Sequence, residues 1–404
     1  MSWKRIQLAT LRDAAQADIL ASELFKTSGM WPRHQNVYWL LSWARGRPQN
    51  VLLYAYLVNG RISGLAGCII EDCQIRIGFG SRVALHTFRL KRLRLQEPLL
   101  CDSVGDQTVQ EEVLCQLFHH IRRCHAGYPL YFEAIAVGSP AHRILTANLI
   151  RDSYSVQQYG FETARHVIDA PATYEEYFAT IGRETRSGLR RSLKKLFAAY
   201  PQQVRLGKFC DRSEVGNFFS EIEGLAIRTW QWRRGDNMSP TIIAKLKYLS
   251  NAWADQGFFR GFILYVKDQP VAYIIGYRIG DQFYLEVTGY DWNWKKWSVG
   301  IVCILLSLES MLAEHPLIKR YDFLSWEFEY KKRFGNMRWM ESNFYAFPDR
   351  FRFRLIYLCL KTNIIISNWL RRIYGRLPSR PHLRVAAKLR GRAAQLACSS
   401  PDVA

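Results

Sequence analysis

The sequence predicts a mixed α/β (α+β) architecture: two halves with the same order of elements, each a mostly antiparallel mixed sheet flanked by helices, followed by a basic helical tail. Three observations predict it. Two apolar hairpins, Val51 to Glu71 and Gly261 to Tyr277, lie roughly 210 residues apart, each preceded by a helical segment and followed by a helix and a further strand. The order lacks the uninterrupted strand–helix succession of a doubly wound sheet. Positive charge gathers at the end, where Arg350 to Ala404 holds 12 Lys and Arg against one acid, Asp402. The expected divisions are 1–165, 166–349 and 350–404.

In the first half, Ile19, Leu20 and Leu24 fall at helical spacing within Asp13 to Phe25. VLLYAYLV and ISGLAGCII flank Asn59-Gly60, a strong hairpin signal because both turn residues accept a positive φ. A helix over Gln110 to Cys124, a strand over Leu130 to Val137, a helix over Ala141 to Asp152 and a strand over Glu162 to Ile168 follow. The second half repeats the order. A helix over Ser213 to Trp230 leads to FILYV and VAYIIGY around Lys267-Asp268-Gln269. Then come a strand over Gln282 to Tyr290, a helix over Ser298 to Ala313 and a strand over Ile318 to Ser325.

A chain of 404 residues is too long for one ordinary core. Its 49% hydrophobic and 14% aromatic content is that of a globular protein and excludes a disordered one. The net charge of +21 calls for an anionic partner: nucleic acid, anionic lipid or a phosphorylated ligand. About half of that charge sits in the tail, which argues for a basic extension over a whole-molecule nucleic-acid binder. Nine Cys are scattered without CxxC or Cys/His spacing, so free thiols in a reducing compartment are expected, with no metal. The first residues carry early charges and no continuous apolar run, and therefore read as no secretory signal.

Strict alternation over Gln282 to Asp291 puts Phe283, Leu285, Val287 and Gly289 on one face, and Tyr284, Glu286, Thr288 and Tyr290 on the other. The second face has a carboxylate able to take a proton from an ammonium, directly or through a water; Glu286 is the candidate base. A solvated strand face is the competing reading. In DWNWKKWSVG, Ser298 is placed to cap the following helix, and its first amides beside Lys295 and Lys296 would suit a pyrophosphate. Gly300 would permit close backbone approach, and Trp292, Trp294 and Trp297 could wall an adenine or a pantetheine arm. A buried helix with basic and aromatic residues at its start reads the same way. In RYDFLSWEFEYKKRFGN, Tyr330 lies beside Lys331 and Arg333, which would lower its phenol pKa and suit it to general-acid work; a charged surface turn is the alternative. Gly182 to Tyr200 is a basic amphipathic helix. Leu189, Leu193, Leu196 and Phe197 form its stripe, with Arg186, Arg190, Arg191, Lys194 and Lys195 around it, for an anionic ligand or simply for water.

Together these segments resemble the GNAT acetyltransferases of the CelD-like group, found with cellulose and exopolysaccharide biosynthesis. The arginine-rich helix of that group reads here as Arg186, Leu189, Arg190, Arg191, Lys194 and Leu196. Its signature D-F-L-R-G-D-E-x-Y-K-x-R-W-G reads as Asp322 to Gly335, with Asp322, Tyr330, Lys331, Arg333 and Gly335 matching. Trp326 replaces a Gly and Phe328 an acidic residue, and the phosphate loop is reduced to Trp297-Ser298-Val299-Gly300. The resemblance covers roughly residues 165 to 345, while the first half is similar only in layout, as in Fem-type double-GNAT proteins.

The resemblance implies direct transfer of an acyl group, acetyl foremost, from acyl-CoA to an amine, without a covalent enzyme intermediate. It implies acyl-CoA at Lys295, Lys296, Trp297, Ser298 and Gly300, with Tyr330 and Glu286 catalytic. The acceptor, an amino sugar or another envelope-polysaccharide precursor, would meet Arg186, Arg190, Tyr290, Asp322, Glu327, Lys331 and Arg333. A Fem-like transferase using aminoacyl-tRNA and a non-catalytic membrane-associated scaffold are the competing readings, because fold alone does not secure function.

The tail, FRFRLIYLCLKTNIIISNWLRRIYGRL, is interrupted by Lys361, Asn363 and Asn368 and falls short of the ~20 apolar residues of a membrane span. Its basic flanks suit a helix lying on an anionic leaflet; docking on its own domain is the alternative. The expected location is cytoplasmic, including the inner face of the membrane. Val385 to Leu396 reads as another short basic helix.

Overall fold

In a computed structural model, the described residues are 2–6, 37–44, 48–59, 61–79, 83–96, 98–100, 106–147, 150, 154–229, 232, 240–325 and 328–374. The helices expected over Asp13 to Phe25 and Val385 to Leu396 lie outside them, as does Glu327.

The elements in chain order are β1 (Ser2–Ile6), α1 (Val37–Trp43), β2 (Val51–Val58), β3 (Arg61–Phe79), β4 (Val83–Leu95), β5 (Leu99–Leu100), α2 (Gln107–Cys124), β6 (Leu130–Ala136), α3 (Pro140–Thr146), β7 (Tyr154–Gln158), β8 (Thr163–Asp169), α4 (Tyr174–Thr180), α5 (Arg183–Ala199) and β9 (Val204–Phe209). Then follow α6 (Arg212–Ala226), α7 (Pro240–Ala254), β10 (Phe259–Val266), β11 (Gln269–Ile279), β12 (Gln282–Tyr290), α8 (Val299–Leu312), β13 (Arg320–Asp322), α9 (Glu329–Phe334), β14 (Met337–Pro348) and α10 (Phe351–Tyr374). This is the mixed α/β architecture expected from the sequence.

One sheet runs β1-β2-β3-β4-β6-β14-β8-β13-β12-β11-β10-β9, with β5 on β3 and β7 on β14. The β4–β6 and β12–β13 pairs are parallel. The two expected halves meet inside this sheet. β14, from the C-terminal side of the sequence, pairs with β6, β7 and β8 from the N-terminal side, and β8 itself straddles position 165.

The hairpins form where their turn chemistry places them. Asn59 has φ +51°, and Lys267 and Asp268 have φ +52° and +58°, so a two-residue turn joins Val266 to its partner Gln269. α2 is capped by Asp106, whose Oδ1 accepts from the amides of Thr108 and Val109 at 2.9 and 3.1 Å. Leu117, Phe118 and Ile121 of α2 pack on Phe132 and Tyr54 of the sheet. In the second half α8 is apolar almost all round because it is buried almost all round: Val302, Cys303, Leu305, Leu308 and Met311 pack with Phe262, Leu264 and Phe283. α6 and α7 cover the opposite face through Phe218, Ile222 and Trp253.

The described residues of 1–73 and 91–349 make one compact unit, and those of 74–90 and 350–404 make a second. In the second, α10 buries Phe353, Ile356 and Leu360, and Arg352 donates to the carbonyl of Arg89 at 3.2 Å. No helix among the described residues is long and apolar enough to cross a membrane.

Candidate functional site

The site is built where β12 and β13 part. Their parallel pairing covers only Gln282–Tyr284 against Arg320–Asp322. β13 then ends, while β12 runs on to Tyr290. The β11–β12 ladder jumps from Ile275 opposite Val287 to Gly276 opposite Leu285, leaving Glu286 as the extra residue of a β-bulge.

That bulge corrects the expected faces of β12. Before it, Tyr284 packs with Tyr273, Ile275 and Tyr277, and Phe283 and Leu285 pack with α8. After it, Val287 joins the side of Tyr284, and Tyr290 joins the side of Phe283. Tyr284 and Tyr290 therefore do not share a wall, because one inserted residue inverts a period of two.

A 3-10 turn, Trp292–Trp297, leads into α8. Asp291 accepts from the Asn293 amide at 2.9 Å and from the Arg228 guanidinium at 2.7 Å. Ser298 holds the N-cap position, but with φ +55° and without a side-chain cap bond, contrary to the expected capping hydroxyl. The ladder of α8 opens with Val302 N–H to Ser298 O, so the amides of Val299 to Ile301 lie ahead of it. Lys195 of α5 donates to the Lys296 carbonyl at 2.7 Å and lies 5.4 Å from the Trp297 ring centre. Lys295 and Lys296 stack on Trp292 and Trp297. These contacts give the lysines and Trp297 a part in shaping the turn.

Gly300 is also explained differently from expectation. A Cβ there would meet the Tyr290 ring at 2.9 Å, so the space left by glycine is filled by Tyr290.

Between α5 and the start of α8 lies a groove of about 840 Å³, lined among others by Arg183, Glu184, Ser187, Arg191, Ser298 and Arg333. Three arginines line it together with Ser298 and Ile301 from the start of α8. Of the residues expected for cofactor binding, Ser298 lines it, as does Arg333, which was expected on the acceptor side. Arg186 instead turns back to the Ile181 carbonyl at 3.5 Å, and Arg190 lies over the Phe178 ring at 5.0 Å. A helix with one buried stripe, Leu189 and Leu196, sends alternate arginines to different neighbours, and the linear motif does not say which.

Behind the end of β13 sits a buried charge network. Nε of Arg165 lies 3.0 Å from both Asp322 oxygens, and its Nη1 lies 2.9 Å from Glu341. Asp322 Oδ1 also accepts the Leu324 amide at 2.7 Å, and Glu341 accepts from Ser325 at 2.6 Å and from the Trp339 indole at 3.0 Å. Lys331 donates to the carbonyls of Leu324 and Ser325 at 3.1 and 2.9 Å, pinning a turn in which Leu324 has φ +59°. Asp322 and Lys331, expected to bind substrate, are thus 3% and 4% exposed and hold the floor of the site. Burial pushes the Lys331 ammonium down to about 8 against the attraction of Asp322, and Glu286 is among the charges that act on it.

Tyr330 is half-buried between Phe323 and Phe328. Burial raises its phenol pKa, opposite to the lowering expected from Lys331 and Arg333. Sequence reasoning missed Arg165, Glu341 and Arg183; only Arg183 carried a signal, as the first basic residue of the arginine-rich helix.

Comparison with known proteins bears on the fold. The family described as Acetyltransferase (GNAT) domain matches residues 183–332. Over that stretch the fold is that of a GNAT acetyltransferase domain. Among solved structures, FemX superposes at TM-score 0.56 with 10% identity, covering 85% of this chain and 96% of FemX. A conserved protein of unknown function from Bacteroides thetaiotaomicron superposes at 0.51 with 12% identity, covering 85% and 98%. Curated proteins give no sequence match.

Proposed function

We propose that this protein is an N-acyltransferase that moves an acyl group, acetyl foremost, from acyl-CoA to an amine on an amino sugar or a related envelope-polysaccharide precursor. The observation that carries the reading is the groove where Arg183, Arg191 and Arg333 meet the first turn of α8. The lining suits a pyrophosphate: three arginines outnumber the single carboxylate of Glu184 beside the N-terminal residues Ser298 and Ile301 of α8. The adjacent gap between β12 and β13 would admit the pantetheine arm.

In this reading the acceptor nitrogen attacks the acyl carbonyl carbon while the C–S bond breaks. Glu286 takes the proton released from nitrogen, directly or through a water. Tyr330, kept protonated by its raised pKa, gives a proton to the departing thiolate. Lys331 fixes the 324–325 turn and with it the floor of the site. The polysaccharide acceptor rests on the CelD-like resemblance of Asp322 to Gly335.

Titration calorimetry with acetyl-CoA on the full chain tests the proposal. Micromolar binding that is lost in Arg191→Glu and kept in Tyr330→Phe, with turnover lost in the latter, supports it. Absence of binding by acetyl-CoA and longer acyl-CoAs overturns it. The likeness to FemX favours a second reading, transfer from aminoacyl-tRNA. A donor assay with charged tRNA and with acyl-CoA side by side separates the two, and tRNA use would weaken steeply with salt.

A further inference from the structure

The second compact unit, 74–90 with 350–404, holds Arg76, Arg82 and Arg89 and the 12 basic residues of the tail against Asp402 alone. It carries a net +14 of the chain's +21. The groove of the proposed acyltransferase is lined by residues of the other unit.

α10 has two apolar faces. Phe353, Ile356 and Leu360 are buried. A second set, Phe351, Leu355, Leu358 and Ile365, is exposed at 84, 51, 56 and 60%. These follow spacings of four, three and seven residues, which at helical periodicity makes an arc about 80° wide. Arg350, Arg354 and Lys361 fall along one flank of that arc and Arg352 along the other, all four exposed. No acidic residue occurs between Arg350 and Tyr374.

We infer that this face of α10 docks on an anionic lipid surface, lying in the plane of the interface with the apolar arc inserted and the flanking cations on the headgroups. The chemistry selects this occupant over others. Residues 375–404 bring six more cations and one acid, and a second copy brings the same charge, so either would meet like with like. A nucleic acid would use the cations and leave four large apolar side chains in water. An anionic bilayer satisfies both, and a helix unable to cross a membrane is suited to lie on one.

Flotation of the full chain with phosphatidylglycerol-containing vesicles, and with pure phosphatidylcholine vesicles, tests this. Binding is expected only to the anionic vesicles and should fall with added salt. Leu355→Glu with Leu358→Glu should abolish it, and neutralising Arg352, Arg354 and Lys361 to Gln should weaken it by roughly fivefold for each cation removed. All these side chains are exposed, so an unchanged melting temperature will show that the variants remain folded. Failure to float with anionic vesicles overturns the proposal. So does undiminished binding by the Leu355→Glu/Leu358→Glu variant, which would place attraction in the cations alone. Tight tRNA binding that displaces the protein from vesicles and survives that double substitution would assign the surface to nucleic acid instead.

Discussion

Arg165 and Asp322, 157 positions apart, join β8 to β13, with Nε of the guanidinium 3.0 Å from each carboxylate oxygen. Glu341 on β14 takes another of its nitrogens. β8 is therefore tied to two strands from the far side of the sequence, β13 and β14, beside the turn that carries Leu324 and Ser325.

Removing the cation leaves two buried carboxylates without it. Arg165→Met is expected to destabilise the protein by about 3–5 kcal/mol, read as a lower urea midpoint. Adding Asp322→Asn and Glu341→Gln should recover part of the loss, because amides tolerate burial without a counter-charge.

Gly300 and Tyr290 are packed too closely for a methyl group to be added at no cost. Gly300→Ala should cost about 1–3 kcal/mol by overpacking. Tyr290→Ala on that background should remove the penalty, giving a double-mutant coupling of opposite sign to the single effects. Additive effects would show that the close contact is absent.

The groove predicts unequal arginines. Arg183→Gln and Arg191→Gln should weaken acetyl-CoA binding by about tenfold each, as charge-assisted bonds to phosphate are lost. Arg190→Gln, whose side chain lies on Phe178, should change it little. Calorimetry on the three variants decides; equal losses would point to bulk charge as the cause.

Lys331 predicts an alkaline stability signature. Its folded pKa is lowered to about 8 from an ordinary 10.5, so between those values the unfolded chain holds more protons and stability rises with pH. The penalty is full below pH 8 and is relieved toward pH 10.5, by an amount on the order of 3 kcal/mol. Melting temperatures from pH 7 to 10 should show this rise relative to Lys331→Met, which lacks the titrating group.

Glu314 predicts the acid limb. Burial opposes its ionisation, but hydrogen bonds from Arg260 and Lys208, with Arg278 alongside, pull its pKa to about 2. The stability it contributes is present above its ordinary pKa near 4.5 and is lost as pH falls through about 2. The wild type should outlast Glu314→Gln by about 3 kcal/mol at neutral pH, with the gap closing in acid.

The hairpins and α8 were legible because each announces itself locally, by Asn-Gly turn chemistry, by apolar runs and by an apolar run too long for a strand. β4 was not. In VALHTFRLKRLRL the apolar residues are interleaved with cations, and a single sequence does not show that Arg92 meets Glu71 at 2.8 Å and Arg94 meets Glu133 at 2.8 Å. The faces of β12 were misread because a bulge leaves no mark in a clean alternation. The arginines of α5 were recognised as a group, but which of them reach the groove was not.

Periodicity, turn residues and composition are enough to specify the mixed α/β class, the main hairpins, the buried helix and the basic tail. The tertiary structure decided what those residues do to one another. It spent Asp322 and Lys331 on a buried network, set Tyr290 against Gly300, raised the phenol of Tyr330 and sent Arg183, Arg191 and Arg333 to one groove. Such outcomes depend on distance and desolvation between residues far apart in the chain, and neither quantity is written in local sequence.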